Sequence, residues 1–248
     1  MVTIKTKQEI EYMKEAGKIV AEVHKLMAEV IKPGMTTMEL DQIAEKKIIE
    51  MGAIPAFKGY GGFPAAICAS VNEQVVHGIP DGRVLENGDI ISVDVGSKLK
   101  GYYGDGARTF PVGEISEEAE RLIAVTRQSF FEGLKYCKVG YRLSDVSHAV
   151  QKYVEENGFS VVRDYVGHGI GTALHEDPQV PNYGPPGKGP RLVAGMVIAI
   201  EPMVNAGTFR VQTLGDEWTV VTADGKLSAH YENTIAITEE EPIILTQL

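Results

Sequence analysis

Two acidic pairs and one imidazole carry the chemistry that this sequence offers. Asp94 and Asp105 bracket the segment Val95-Gly-Ser-Lys-Leu-Lys-Gly-Tyr-Tyr-Gly104. A hairpin centred between Leu99 and Lys100 places them directly opposite, because their numbers are equidistant from that turn. Opposed residues on antiparallel strands share a face, with Cβ atoms about 5 Å apart. Two ionised carboxylates that close repel, so one takes a proton or a cation lies between them. Gly96, Gly104 and Gly106 leave room beside them. Further along, Glu201 ends a strongly apolar strand and Glu232 begins the strand Thr234–Thr238, so these two are expected as antiparallel neighbours. His168 lies among small residues in Val166-Gly-His-Gly-Ile-Gly171. Two Asp, two Glu and one His form a hard donor set suited to divalent manganese, iron, cobalt or zinc. Four carboxylates at −1 each match two divalent cations, as in two-metal sites about 3.5–4 Å across. Taken singly, Glu232 reads as well as a solvated carboxylate, and His168 as well as a structural histidine.

Four helices and a series of glycine-punctuated strands position these residues. Thr6-Lys-Gln-Glu9 forms a capping box, followed by apolar residues at helical spacing until Pro33-Gly34. Thr36 opens a second helix running to Gly52, Ser116 a third ending near Gly140, and Ser144 a fourth ending near Gly158. Strands are expected over Ile90–Val95, Val161–Val166, Val197–Val204, Thr219–Thr222 and Thr234–Thr238. Pro33-Gly34 to Gly52 matches Val139-Gly140 to Gly158 at an offset of 106, and Gly88–Asp94 matches Gly195–Glu201 at 107. Both seven-residue segments run from glycine through an apolar strand to a carboxylate. This is either coincidence between two similar patterns or a duplicated half-domain. A duplication gives two halves about a pseudo-twofold axis, with a ligand cleft between them.

The chain has 248 residues, 44% hydrophobic and 23% charged, enough for a buried core without disulfide or metal staples. Its net charge of −10 argues against a nucleic-acid or anionic-membrane partner. Two cysteines, Cys68 and Cys137, are too few for a disulfide framework and fit a reducing compartment. The charged N-terminus reads as no signal peptide, and the longest apolar run, Leu192–Ile200, falls short of the ~20 residues of a membrane span. A cytoplasmic protein is expected. Gly167-x-Gly-x-Gly171 has the wrong spacing for a dinucleotide fingerprint, His175-Glu-Asp-Pro-Gln is not a paired-histidine zinc helix, and serine and cysteine nucleophile signatures are absent.

Several segments together resemble the type I methionine aminopeptidase family. They are Ser70-Val-Asn-Glu-Gln-Val-Val-His-Gly-Ile-Pro80, Asp94-Val-Gly, Gly104-Asp-Gly-Ala-Arg-Thr-Phe110, Gly167-His-Gly-Ile-Gly171, His175-Glu-Asp-Pro-Gln-Val180, Ile200-Glu-Pro-Met203 and Tyr231-Glu-Asn-Thr. They occur in the family's order and spacing, from about residue 5 onward. The resemblance implies an α+β pita-bread fold: one catalytic domain over residues 1–248, with pseudosymmetric halves of roughly 5–115 and 116–248, outer helices and a curved, mostly antiparallel sheet. It implies two divalent metal ions, one chelated by Asp94, the other bound by His168 and Glu201, with Asp105 and Glu232 bridging. An activated water then hydrolyses the first peptide bond of a polypeptide. Glu201 handles its proton, His175 donates to the developing oxyanion, and His77 positions the substrate.

The same resemblance implies a methionine pocket lined by Tyr60, Phe63, Cys68, His77, Leu174, His175 and Trp218. Phe63 and Leu174 depart from the tyrosine and phenylalanine common in relatives, which alters the pocket's shape but not its apolar wall. A monovalent cation on main-chain oxygens of Asn72, Gln74 and Ser228 is also implied. The expected substrates are nascent or short polypeptides with N-terminal Met and a small second residue, the expected state is a monomer, and the ribosome is a transient partner. Proline-directed relatives share the fold but carry a large N-terminal domain, for which the first helix leaves no room. The 30 residues between Glu201 and Glu232 lack the helical insertion of type II enzymes, and the zinc-binding extension of eukaryotic type I enzymes is missing, so a bacterial-like form is expected. A non-catalytic binding protein on this fold is the reading from a different class.

Overall fold

Capping chemistry starts the helices of this computed structural model, which describes residues 2–248. The Thr6 hydroxyl accepts the Glu9 N–H while the Glu9 carboxylate accepts the Thr6 N–H, opening α1 (Lys7–Val30). Thr36 and Glu39 repeat the arrangement at α2 (Thr37–Glu50). Three short strands follow, β1 (Ile54–Pro55), β2 (Ile67–Val71) and β3 (Gln74–Val76), then the long hairpin of β4 (Ile90–Leu99) and β5 (Tyr102–Pro111). Ser116 caps α3 (Glu117–Leu134), and α4 spans Leu143–Glu156. The remainder is all strand and loop: β6 (Ser160–Val161), β7 (Gly167–Gly169), β8 (Glu176–Val180), β9 (Val197–Ile200), β10 (Met203–Asn205), β11 (Val211–Thr213), β12 (Val220–Thr222), β13 (Ser228–His230), β14 (Asn233–Ala236) and β15 (Ile243–Ile244).

Every strand pairing is antiparallel. β4 carries β5 along one edge and β2 with β1 along the other, while β15-β14-β9-β7-β8 form a five-stranded sheet. Helices α1 and α2 bury Val20, Val23, Met27, Leu40 and Ile48 against Ile67, Ile91, Val93 and Val95. In a separate cluster, α3 and α4 bury Leu122, Val150 and Val154 against Val161, Val204 and Ala229. Helices α2 and α4 are equal in length and lie 106 residues apart; the flanking Gly34, Gly52, Gly140 and Gly158 all have positive φ. No helix among the described residues is long and apolar enough to cross a membrane.

The two sheets meet over the site. Asp105 N–H donates to the Thr234 hydroxyl, which donates to Asp105 O, and Glu232 N–H donates to Ala107 O. Helix α1 closes on β5 through paired glycines. A Cβ on Gly104 would lie 2.7 Å from the Gly17 nitrogen, and one on Gly17 would lie 2.2 Å from Leu245 O. Gly104→Ala is therefore expected to cost about 1–3 kcal/mol through overpacking. A lowered urea midpoint at unchanged slope is the readout; an unchanged midpoint would mean that the helix retreats freely.

The structure corrects four local expectations. The hairpin turns at Lys100-Gly101, both with positive φ, as a two-residue type I′ connection requires. Its centre thus moves by one residue: Asp105 faces Gly96 and Asp94 faces Ala107. The two aspartates are diagonal neighbours on one face rather than directly opposed. Helix α3 stops at Leu134, not near Gly140, because Tyr136 and Cys137 donate three residues back to Gly133 and Leu134, a tightening that ends the helix. The run Val161–Val166 is not one strand: after Val162 donates to Met203 O, Arg163 turns over the rings of Phe209 and Tyr183. The run Val197–Val204 breaks at Pro202, which has no N–H for the ladder. Its register nevertheless continues, with Ile200 opposite Asn233 and Met203 opposite His230.

Candidate metal centre

Strand register brings the acids together. Extending the β9–β14 register by one step sets Glu201 across from Glu232. Asp94 stands opposite Cys68 on β2. His168, on β7, directs Nε2 to 3.6 Å from both Asp105 Oδ2 and Glu201 Oε1, while its Nδ1 meets Gly169 O at 2.9 Å. Gly169 approaches the Asp177 carbonyl so closely that a Cβ would lie 2.1 Å from it, so this stretch of β7 tolerates no side chain there. Ligand atoms of Asp105, His168 and Glu232 lie within 4.8 Å of one another, as do those of Glu201, His230 and Glu232.

The electrostatics are those of uncompensated charge. Burial pushes the Asp94 carboxyl well above the usual carboxylate range, with Asp105 and Glu201 adding to the effect. Burial does the same to Glu232, reinforced by Asp105, Glu201 and Asp94. At His168 burial opposes protonation, but Asp105 and Glu201 prevail and raise it to about 9. Buried oxygens of Asp94, Asp105 and Glu232 have no hydrogen-bond partner. Such groups are costly unless protons or cations compensate them.

Around the acids stands an apolar cup of about 170 Å³, close to the ~150 Å³ cavity that accommodates a benzene ring. Phe57, Phe63, Cys68, Leu174 and Trp218 line it with Tyr60, His77 and His175. The Phe63 and Trp218 rings meet edge-on at 5.1 Å. His77, at φ 59°, stands edge-on to Tyr165 and Trp218; positive φ in a non-glycine is strain of the kind that functional sites hold. Burial lowers its basicity. The Tyr60 hydroxyl lies 2.7 Å from His175 Nδ1, and the His175 ring sits 4.2 Å from that of His168. Burial, then the neighbouring His168, lowers the basicity of His175. Behind it, Glu176 pairs with the buried Lys5 at 2.6 Å, tying the loop to the N-terminal segment. The Cys68 thiol is pushed well up by burial and by Asp94, which keeps it an unreactive wall.

All twelve side chains assigned above to the metals, the catalysis or the methionine pocket border this one cavity. Asn72, Gln74 and Ser228 lie apart from it. Ser228 N–H donates to Asn72 O at 2.9 Å, and Val71 N–H donates to Gln74 Oε1. Two neighbours escaped the sequence reading. Phe57 is an ordinary apolar residue with no local signal. His230 precedes Glu232 by two, the spacing at which strand residues share a face.

The profile of metallopeptidase family M24 matches residues 11–239. The chain belongs to metallopeptidase family M24. It is 61% identical to a methionine aminopeptidase of Clostridium acetobutylicum over 247 residues, 99% of each chain. The crystal structure of a methionine aminopeptidase from Thermotoga maritima superposes with a TM-score of 0.98 at 51% identity, covering each chain in full. A prolidase from Pyrococcus furiosus shares the fold at a TM-score of 0.78 and 24% identity, with 99% of this chain covering 65% of that one. This M24 chain is thus an α+β metallopeptidase of the pita-bread type, with clustered His, Asp and Glu side chains that could hold a metal ion.

Proposed function

We propose that this chain removes N-terminal methionine from nascent or short polypeptides whose second residue is small, by hydrolysis of the first peptide bond. The observation that carries the reading is a set of four carboxylates and one imidazole, buried at Asp105, His168 and Glu232 and partly buried at Asp94 and Glu201, lining an apolar cup. Three of those carboxylates have unpartnered buried oxygens. This donor set fits divalent cations: its oxygens and single nitrogen suit cobalt, manganese, iron or zinc, and two ions at +2 neutralise four negative charges. Asp94 would hold one ion, His168 and Glu201 the other, and Asp105 and Glu232 would be shared. When bound, such ions supply a water nucleophile at neutral pH and polarise the scissile carbonyl.

The chain's own residues do the rest. Glu201 accepts the proton of the attacking water and delivers it to the departing amide nitrogen. With the Tyr60 hydroxyl donating to Nδ1, a neutral His175 carries its proton on Nε2, free to donate to the developing oxyanion. His77, held by Tyr165 and Trp218, positions the peptide and steadies the leaving nitrogen. The cup formed by Phe63, Cys68, Leu174 and Trp218 excludes water and accepts a long unbranched thioether side chain.

Cleavage of a Met-Ala-Ser peptide with an Ala-Pro peptide left intact is the expected result. Cleavage of Ala-Pro alone would transfer the chain to the proline-directed group, and inactivity with every divalent metal would favour a binding protein. The same reading takes the protein as a cytoplasmic monomer that meets nascent chains at the ribosome transiently. A monovalent cation on main-chain oxygens of Asn72, Gln74 and Ser228 completes it; the bond between Ser228 and Asn72 supports that grouping.

A further inference from the structure

We infer that His230 is a positioning residue: its Nε2–H holds the outer oxygen of Glu201 and so fixes the direction in which that carboxylate works. The inference rests on the role proposed above for Glu201. His230 is 1% exposed, and its Nε2 has no hydrogen-bond partner. That nitrogen lies 3.6 Å from Glu201 Oε2 and 4.0 Å from Glu232 Oε2. Glu201 Oε1 meanwhile faces His168 Nε2, also at 3.6 Å. The Glu201 carboxylate is thus bracketed by two imidazoles, one for each oxygen.

Strand geometry makes the contact a built one. His230 pairs with Met203, and Glu201 falls opposite Glu232 in the same register. His230 therefore lies diagonal to Glu201 on a shared face, within reach of long side chains. Its backbone is clamped from the other half of the molecule. His230 N–H donates to the Thr109 hydroxyl, and that hydroxyl donates to His230 O, both at 2.9 Å. Ser92 Oγ lies 2.8 Å from the same hydroxyl. Glu201 is held in turn by Asn182, whose amide donates to Glu201 O at 3.0 Å. With both backbones fixed, a side-chain shift of a few tenths of an ångström closes the 3.6 Å gap. Hydrogen bonds at catalytic groups are commonly long in the free protein and tighten with substrate.

Charge favours a neutral donor over a further cation at this spot. Two divalent ions would already balance the four carboxylates, and a third would leave the cluster at +2. A donor that orients a metal-ligating carboxylate typically matters 10–100-fold for affinity or activity.

Gln and Met test this as a matched pair, since both follow the outline of the imidazole to Nε2 but only Gln presents an N–H there. His230→Met is expected to lower kcat on Met-Ala-Ser about 10–100-fold at unchanged KM. By calorimetry it should weaken Co²⁺ binding to the chelator-treated protein by a similar factor. His230→Gln should recover most of both losses. A Met variant that keeps wild-type kcat and Co²⁺ affinity overturns the inference, as does a folded Gln variant no better than Met. If the Met variant fails to fold, the Gln variant is read against wild type: kcat and Co²⁺ affinity within about 10-fold support the inference, and a larger loss of both in the folded Gln variant overturns it. Co²⁺ affinity is read without substrate, so it tests His230 even if Met-Ala-Ser proves not to be cleaved, a result that would sink the proposed function instead.

Discussion

Substituting Glu201 by Gln is expected to lower kcat on a Met-Ala-Ser peptide by about 10²–10⁴-fold, the usual contribution of a positioned general base. Gln keeps the shape of the side chain, and Glu201 sits at the strand break before Pro202, where Asn182 holds its backbone carbonyl. The fold is therefore expected to persist, with a urea midpoint at least equal to that of the metal-free wild type. Removing one of four mutually repelling carboxylates relieves strain rather than adding it. Turnover at the wild-type rate would take the proton-transfer role away from Glu201.

The second large effect concerns the cations. Exhaustive chelation is expected to abolish activity reversibly, and re-addition of Mn²⁺ or Co²⁺ at about 1,000 times its Kd to stabilise the protein by about 4 kcal/mol. For a chain of this size that is a rise in melting temperature of roughly 8–16 °C. The pH dependence has a definite sign. Asp94 and Glu232 are held above the ordinary carboxylate range in the folded, metal-free protein. The stability they contribute is complete below their unfolded values and is lost as pH rises through the folded ones. The gap in melting temperature between metal-loaded and metal-free protein should therefore widen as pH rises above that range. Full activity after metal removal, or a gap that narrows with rising pH, would contradict this account.

Much of the architecture was legible because it rests on local chemistry. Thr6 with Glu9 and Thr36 with Glu39 announce their helices by the spacing of capping groups, which acts within one turn. Gly34 and Gly140 precede helices of equal length, and both adopt positive φ. The acids were legible as a group because Asp94 and Asp105 flank one hairpin with glycines beside them, and Glu201 and Glu232 each adjoin an apolar strand. Register was not. The hairpin centre moved by one residue because Lys100 shares the left-handed region with Gly101, a choice that glycine announces and lysine does not. His230 was invisible for a related reason: its meaning comes from lying diagonal to Glu201, a relation between residues 29 positions apart in the chain.

The cross-links between Asp105 and Thr234 and between Ala107 and Glu232 span more than 120 residues of intervening chain. Contacts of such long range require the loop-closure entropy to be met before they give anything back, so they form late and slowly. During its own synthesis the polypeptide can raise the first helices and the long hairpin early, yet it gains a working centre only once residue 234 has emerged and docked. No copy can therefore assemble the centre before the segment that carries its last carboxylate, Glu232, has been made and docked.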